Sequence, residues 1–145
     1  MARNLLSWGY TKMTFVDNGR VSYSNPVRQC LFTFEDSRAE DNFKATTAAR
    51  RITEIYPKVE AQGVTMSIPM PGHTVSEDKY EQLFQSTETL EQLVMSHDVI
   101  FLLLDSREAR WLPTVLAQVH KKLCMTMALG FDTFVVMRHG VSPEE

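Results

Sequence analysis

Val99-Ile-Phe-Leu-Leu-Leu104 is the longest strongly apolar run in the sequence, and it ends on Asp105. A continuous apolar run without polar alternation suits a strand covered on both faces, as in a parallel sheet flanked by helices. Its six residues fall far short of the roughly 20 that a membrane-spanning helix needs. Toward the C-terminus, Leu112, Val115, Leu116 and Val119 recur at helical spacing, and Leu123 to Ala128 and Thr133 to Met137 read as two further strands. Toward the N-terminus, Leu83, Phe84, Leu90, Leu93 and Val94 outline an amphipathic helix. The acidic run Ser76-Glu-Asp-Lys-Tyr-Glu opens it, with acids placed where the helix dipole favours them. Further back, Val64 to Ile68 suggests a strand ended by Pro69 and Pro71. Ala45, Ala48, Ala49, Ile52, Ile55 and Tyr56 form a helical stripe stopped by Pro57. Met13-Thr-Phe-Val16 reads as a strand ending at Asp17. Leu5, Leu6 and Trp8 look like the end of a helix closed by Gly9. Strands alternating with helices predict an α/β fold: an open, mostly parallel, Rossmann-like sheet with flanking helices and right-handed crossovers.

At 145 residues the chain fits one domain, and its 43% hydrophobic and 23% charged content is that of an ordinary globular protein. A net charge of −3 argues against nucleic acid as a partner, because phosphate binding of that kind needs a basic stripe. The N-terminal Met-Ala-Arg-Asn-Leu-Leu-Ser-Trp lacks the apolar stretch of a secretory signal, so a reducing, cytoplasmic setting is expected. Cys30 and Cys124 have no second Cys or His at metal-ligand spacing. His73, His97, His120 and His139 are scattered in the same way, so neither a structural zinc site nor a disulfide framework is expected.

Ligands of open α/β sheets bind outside the carboxyl ends of the strands. Asp17 and Asp105 stand at two such ends. A carboxylate there can accept hydrogen bonds from a ribose or hold a divalent cation carried by phosphates. Each acid is equally well explained as the N-cap of a following helix. The polar stretch Ser22-Tyr-Ser-Asn-Pro-Val-Arg-Gln29, with Lys44 opening the helix beyond it, adds two cations within reach of the same strand ends. A magnesium–triphosphate needs that mixture of fixed cations and carboxylates. Lys44 as a solvated surface residue stays open.

Thr14-Phe-Val-Asp-Asn-Gly-Arg-Val-Ser-Tyr-Ser-Asn-Pro-Val-Arg-Gln29 resembles the segment after the second strand of E1-type adenylating enzymes of the ThiF/E1 superfamily, with an Asp followed by Ser-Asn-x-x-Arg-Gln. Three more stretches extend the resemblance to the autophagy E1-like activating enzymes: Ser67-Ile-Pro-Met-Pro-Gly-His73, Arg107-Glu-Ala-Arg-Trp-Leu-Pro113 and Ala128-Leu-Gly-Phe-Asp-Thr-Phe-Val-Val-Met-Arg-His-Gly140. The resemblance implies ATP and Mg2+ as cofactors. Asp17 would bind the ATP ribose, Asn25, Arg28 and Lys44 the phosphates, and Asp105 the metal, with Arg110 in support. It also implies that the parent enzyme adenylates the C-terminus of autophagy ubiquitin-like modifiers, forms a thioester and hands them to E2-like enzymes. A homodimer and a cytoplasmic location reaching the preautophagosomal structure are implied too.

The same resemblance marks what the chain lacks. Its six glycines supply no Gly-x-Gly-x-x-Gly loop, and the first strand that precedes such a loop is also missing. Residues 1–145 are therefore expected to be a partial adenylation domain without the nucleophilic cysteine, so no catalytic residue is assigned. The Gly-x-Pro-Lys usual before the lysine is replaced by Asp41-Asn-Phe-Lys44. Removing a central strand exposes two edges, so the isolated chain is expected to be marginally stable or prone to aggregate. The alternative is a non-catalytic truncated isoform that acts at most as a protein-binding module. A nicotinamide-dependent oxidoreductase would also explain an acid after the second strand, but not Arg28, Lys44 and Asp105 together.

Overall fold

The computed structural model describes residues 1–140, which divide into two compact units, one ending at Ser67 and the next beginning at Ile68. The fold is α/β, with parallel strand pairs and helices packed beside them.

The first unit contains α1 (Ala2–Leu6), β1 (Lys12–Val16), α2 (Phe34–Arg38), α3 (Lys44–Ile55) and β2 (Glu60–Val64). Gly9 ends the first helical segment at φ +85°, donating from its N–H to Leu6, while the Tyr10 N–H reaches Leu5. A residue with a Cβ is strained at that φ, so glycine is the natural terminator. β1 and β2 pair in parallel, Lys12 opposite Glu60 and Val16 opposite Val64, with α3 as part of the crossover. Met13, Ile52 and Val59 form the buried centre, packed by Leu5, Leu6, Tyr10, Phe15 and Leu31. The first turn of α3 rests directly on β2: a Cβ on Gly63 would come within 2.5 Å of the Ala45 carbonyl and the Thr46 nitrogen. Only glycine permits that approach.

β2 lies four residues earlier than the Val64–Ile68 strand expected from apolar content. Its residues are mostly exposed or half-buried, so the segment carries no apolar run and was hidden from a hydrophobicity reading. α2, absent from the sequence reading, is a polar helix begun by a capping box. The Thr33 hydroxyl accepts from the Asp36 N–H and the Asp36 carboxylate accepts from the Thr33 N–H.

The second unit contains α4 (Tyr80–Met95), entered through a 3₁₀ turn at Glu77–Lys79, then β3 (Val99–Leu102), α5 (Glu108–Val119), β4 (Leu123–Leu129) and β5 (Phe134–His139). The strand order is β3-β4-β5, parallel for the first pair and antiparallel for the second. Val94, Leu102, Ala117 and Cys124 make its core, with Ile100 and Leu116 against them. β3 stops at Leu102 rather than at Leu104, and α5 begins four residues before Leu112 and runs through Pro113. The Arg110 guanidinium donates to the carbonyls of Leu102, Leu104, Ser106 and Met127, which turns the chain out of β3 and anchors the first turn of α5. Among the described residues no helix is long and apolar enough to cross a membrane.

Candidate nucleotide site

Asp17 follows the last residue of β1, and its own N–H continues the ladder to the Val64 carbonyl at 3.3 Å. Its carboxylate is half-buried, and Oδ1 accepts the Gly19 N–H at 2.7 Å. That bond turns the chain back toward α3, and the Lys44 N–H donates to the Gly19 carbonyl at 2.9 Å. Asp17 and Lys44 therefore flank one glycine: a Cβ there would stand 3.0 Å from Asp17 Oδ1 and 3.6 Å from Lys44 Cδ. A carboxylate with one oxygen engaged, beside the stem of a lysine at a strand end, is an arrangement that can hold a hydroxyl-bearing anion.

Asn25 and Arg28 sit on the loop between β1 and α2. Asn25 is buried. Its Oδ1 accepts the Ser22 N–H at 3.1 Å, and its carbonyl accepts the N–H groups of Arg28 and Gln29 at 3.1 and 2.8 Å. Asn25 thus shapes the turn that presents Arg28, whose side chain is exposed. Asp36 anchors the far side of this loop. Its side chain is only 1% exposed and is held by Arg50 at 2.6 Å and by Arg51 at 2.9 Å. Burial pushes the Asp36 carboxyl up, but hydrogen bonds from Arg51, Thr33 and Arg50 outweigh it and bring the pKa from the ordinary 3.8 to about 2. Sequence reading missed this anchor, although Thr33-x-x-Asp36 is a visible capping-box signal.

Asp105 and Arg110 belong to the second unit. Asp105 lies three residues past the end of β3, exposed, and its carboxylate has no hydrogen bond or ion pair among the described residues. Arg110 spends its donors on carbonyls of β3, of the loop that carries Asp105, and of β4, so it holds that loop in place. No group of three or more His, Cys, Asp or Glu side chains forms a metal cage among the described residues. A single free carboxylate instead fits magnesium, which keeps its waters and is carried largely on phosphate oxygens. Cys30 is exposed. Cys124 is buried in β4, where burial pushes its thiol up while a hydrogen bond with Thr114 opposes the shift.

The match to the ThiF family spans residues 1–145, and the chain belongs to that family. It is 57% identical over 143 residues to the ubiquitin-like modifier-activating enzyme ATG7 of Mus musculus, a match covering 97% of this chain and 20% of that protein. The protein of the same name from Homo sapiens is 56% identical over 143 residues, and that from Dictyostelium discoideum 50% over 144, each again covered to 20% of its length. The chain thus spans about one fifth of these relatives. Among solved structures, the crystal structure of selenomethionine PaaA superposes with a TM-score of 0.63 at 20% identity, covering 88% of this chain and 35% of that one. That likeness bears on the fold alone.

Proposed function

We propose that this chain supplies nucleotide-binding residues of an E1-like enzyme that uses ATP to adenylate the C-terminus of autophagy ubiquitin-like modifiers. The observation that carries the proposal is the pairing of Asp17 with Lys44 about Gly19 at the end of β1. A free carboxylate is a poor electrophile. In adenylation its oxygen attacks the α-phosphorus of ATP, an oxygen–phosphorus bond forms, and the bond to the leaving pyrophosphate breaks. The developing charge on pyrophosphate must be neutralised, and binding energy must be greater there than in the ground state.

Each residue has a task in that step. Asp17 accepts hydrogen bonds from the ribose hydroxyls with the lone pairs that Gly19 leaves free. Lys44 and Arg28 neutralise phosphate oxygens, Lys44 as a compact ammonium and Arg28 as a fork of donors. Asn25 keeps the turn that presents Arg28. Asp105 is the ligand for magnesium, which when bound supplies positive charge to the phosphates, and Arg110 fixes the Asp105 loop. On this reading the partners are the modifiers, E2-like conjugating enzymes and a second copy of the enzyme, acting in the cytoplasm. The residue that carries the thioester is neither Cys30 nor Cys124.

Modifier-dependent exchange of pyrophosphate into ATP, measured on the complete protein, tests this. Asp105→Ala is expected to abolish exchange, and Lys44→Ala to lower it by about tenfold or more. Exchange unchanged in both variants would sink the proposal.

A further inference from the structure

Lys44 can serve a phosphate only if the start of α3 is held at a fixed distance from the end of β1, and a cluster outside the nucleotide residues does this. Arg20 and Phe43 form a single antiparallel bridge, closed by Val21 N–H to the Asn42 carbonyl at 2.7 Å and by Lys44 N–H to the Gly19 carbonyl at 2.9 Å. The Asn42 side chain fastens this bridge on three sides. Its Oδ1 accepts from Arg20 at 2.7 Å, and its Nδ2 donates to the carbonyls of Val21 and Ser37, each at 3.3 Å. Arg20 also reaches the Glu40 carbonyl at 3.3 Å and lays its guanidinium 3.9 Å from the centre of the Phe43 ring. The N-cap of α3, Phe43, has no side-chain cap of its own, so the helix start is located by this latch rather than by a capping residue.

We infer that Arg20 and Asn42 are positioning residues for nucleotide binding: they lock the first residue of α3 to the exit of β1, and so set the reach of the Lys44 ammonium relative to Asp17. The inference rests on the proposed nucleotide role of Lys44. Arg20 is exposed and its guanidinium is committed to Asn42, Glu40 and Phe43, so it acts through the backbone of Lys44 and not by touching the nucleotide.

The test uses Arg20→Ala in the complete protein, with pyrophosphate exchange read as separate KM values for ATP and modifier, and with Tm as a check on folding. The expected result is a KM for ATP raised about tenfold, with kcat and the KM for modifier changed by less than about twofold. A second arm adds Phe43→Pro. The N-cap φ at Phe43 is −62°, a value proline imposes, so proline should fix the helix start without the latch and return the KM for ATP to within about twofold of the parent. Two results overturn the inference: an unchanged KM for ATP, or a raised KM that Phe43→Pro fails to restore, which would mean that Arg20 contacts the nucleotide itself. A fall in kcat with unchanged KM counts against it as well, as a loss of folded enzyme. Failure of the underlying nucleotide reading is separable, because it shows as unimpaired exchange in Lys44→Ala.

Discussion

The two strand-end acids stand in opposite surroundings. Asp17 is half-buried and hydrogen-bonded within two residues of itself, and the backbone around it is tied to α3 by a bridge, an asparagine and a stacked arginine. Asp105 is exposed, and among the described residues the side chain that holds the loop carrying it is that of Arg110. The contrast matches what each proposed task would demand. A ribose is recognised by directional hydrogen bonds, which lose strength when the acceptor wanders. A hydrated magnesium ion tolerates a ligand that approaches from solvent. Redundant ties in one region and a lone arginine in the other lead to different responses to substitution.

The largest effect is expected where the first region has no redundancy at all. Gly63→Ala would drive a methyl into the backbone of Ala45 and Thr46, where no side chain can swing aside. Moving α3 off β2 should cost about 3 kcal/mol or more and lower the Tm accordingly, with Lys44 displaced along with the helix. A Tm within a degree or two of the parent would show that the helix start floats, and the contrast between the regions would be lost.

Next in size is Asp36. Removing the buried carboxylate strips Arg50 and Arg51 of one anionic partner and leaves Glu54 to hold both, so Asp36→Ala should cost about 2 to 3 kcal/mol by chemical denaturation. The pH dependence follows from the lowered pKa. The ionised form is favoured in the folded state, so its contribution is complete above about pH 4 and is lost as pH falls through the folded value of about 2. The difference between 3.8 and about 2 corresponds to roughly 2 kcal/mol. Asp36→Asn should flatten the stability profile between about pH 4 and 2 relative to the parent; parallel profiles would remove Asp36 from the account.

Arg110→Met probes the second region. Carbonyls of Leu102, Leu104 and Met127 lose their donor, for a loss of about 1 to 3 kcal/mol, and amide exchange should rise selectively between Leu103 and Glu108. Pyrophosphate exchange should fall with it, because Asp105 rides on that loop. Unaltered protection there would show that the loop is held by something else.

These residues also mark what could be read from the sequence. The apolar runs of β3 and β4 and the stripe of α3 announce themselves because burial selects their composition, and Asp17 and Lys44 could be proposed because they border such runs. β2 escaped because exposure leaves it polar, and α2 because its five residues offer a capping box but no apolar stripe, while the arginine that holds Asp36, Arg51, lies 15 residues away. Pro113 sits inside α5, and the first turn of that helix, Glu108 to Trp111, carries too short an apolar pattern to announce its start. The latch was illegible for the same reason: Arg20 and Asn42 are 22 positions apart, and nothing in either residue's local context predicts their meeting. Burial leaves a periodic imprint on a sequence, and a polar contact between distant side chains does not.

The smallest effect sharpens the comparison most. Phe43 occupies a φ of −62°, and its N–H makes no hydrogen bond among the described residues, since the bridge bonds fall on either side of it. Proline at 43 would also bias the residue before it, Asn42, toward extended backbone. Phe43→Pro therefore removes unfolded-state freedom, a gain of about 0.4 to 1 kcal/mol, while losing the ring beneath Arg20, worth about 0.5 to 1 kcal/mol at an exposed site. The two nearly cancel, and stability should stay within about 1 kcal/mol of the parent. A loss of more than about 2 kcal/mol would show that the stacked ring, and not the backbone geometry, holds α3 against β1.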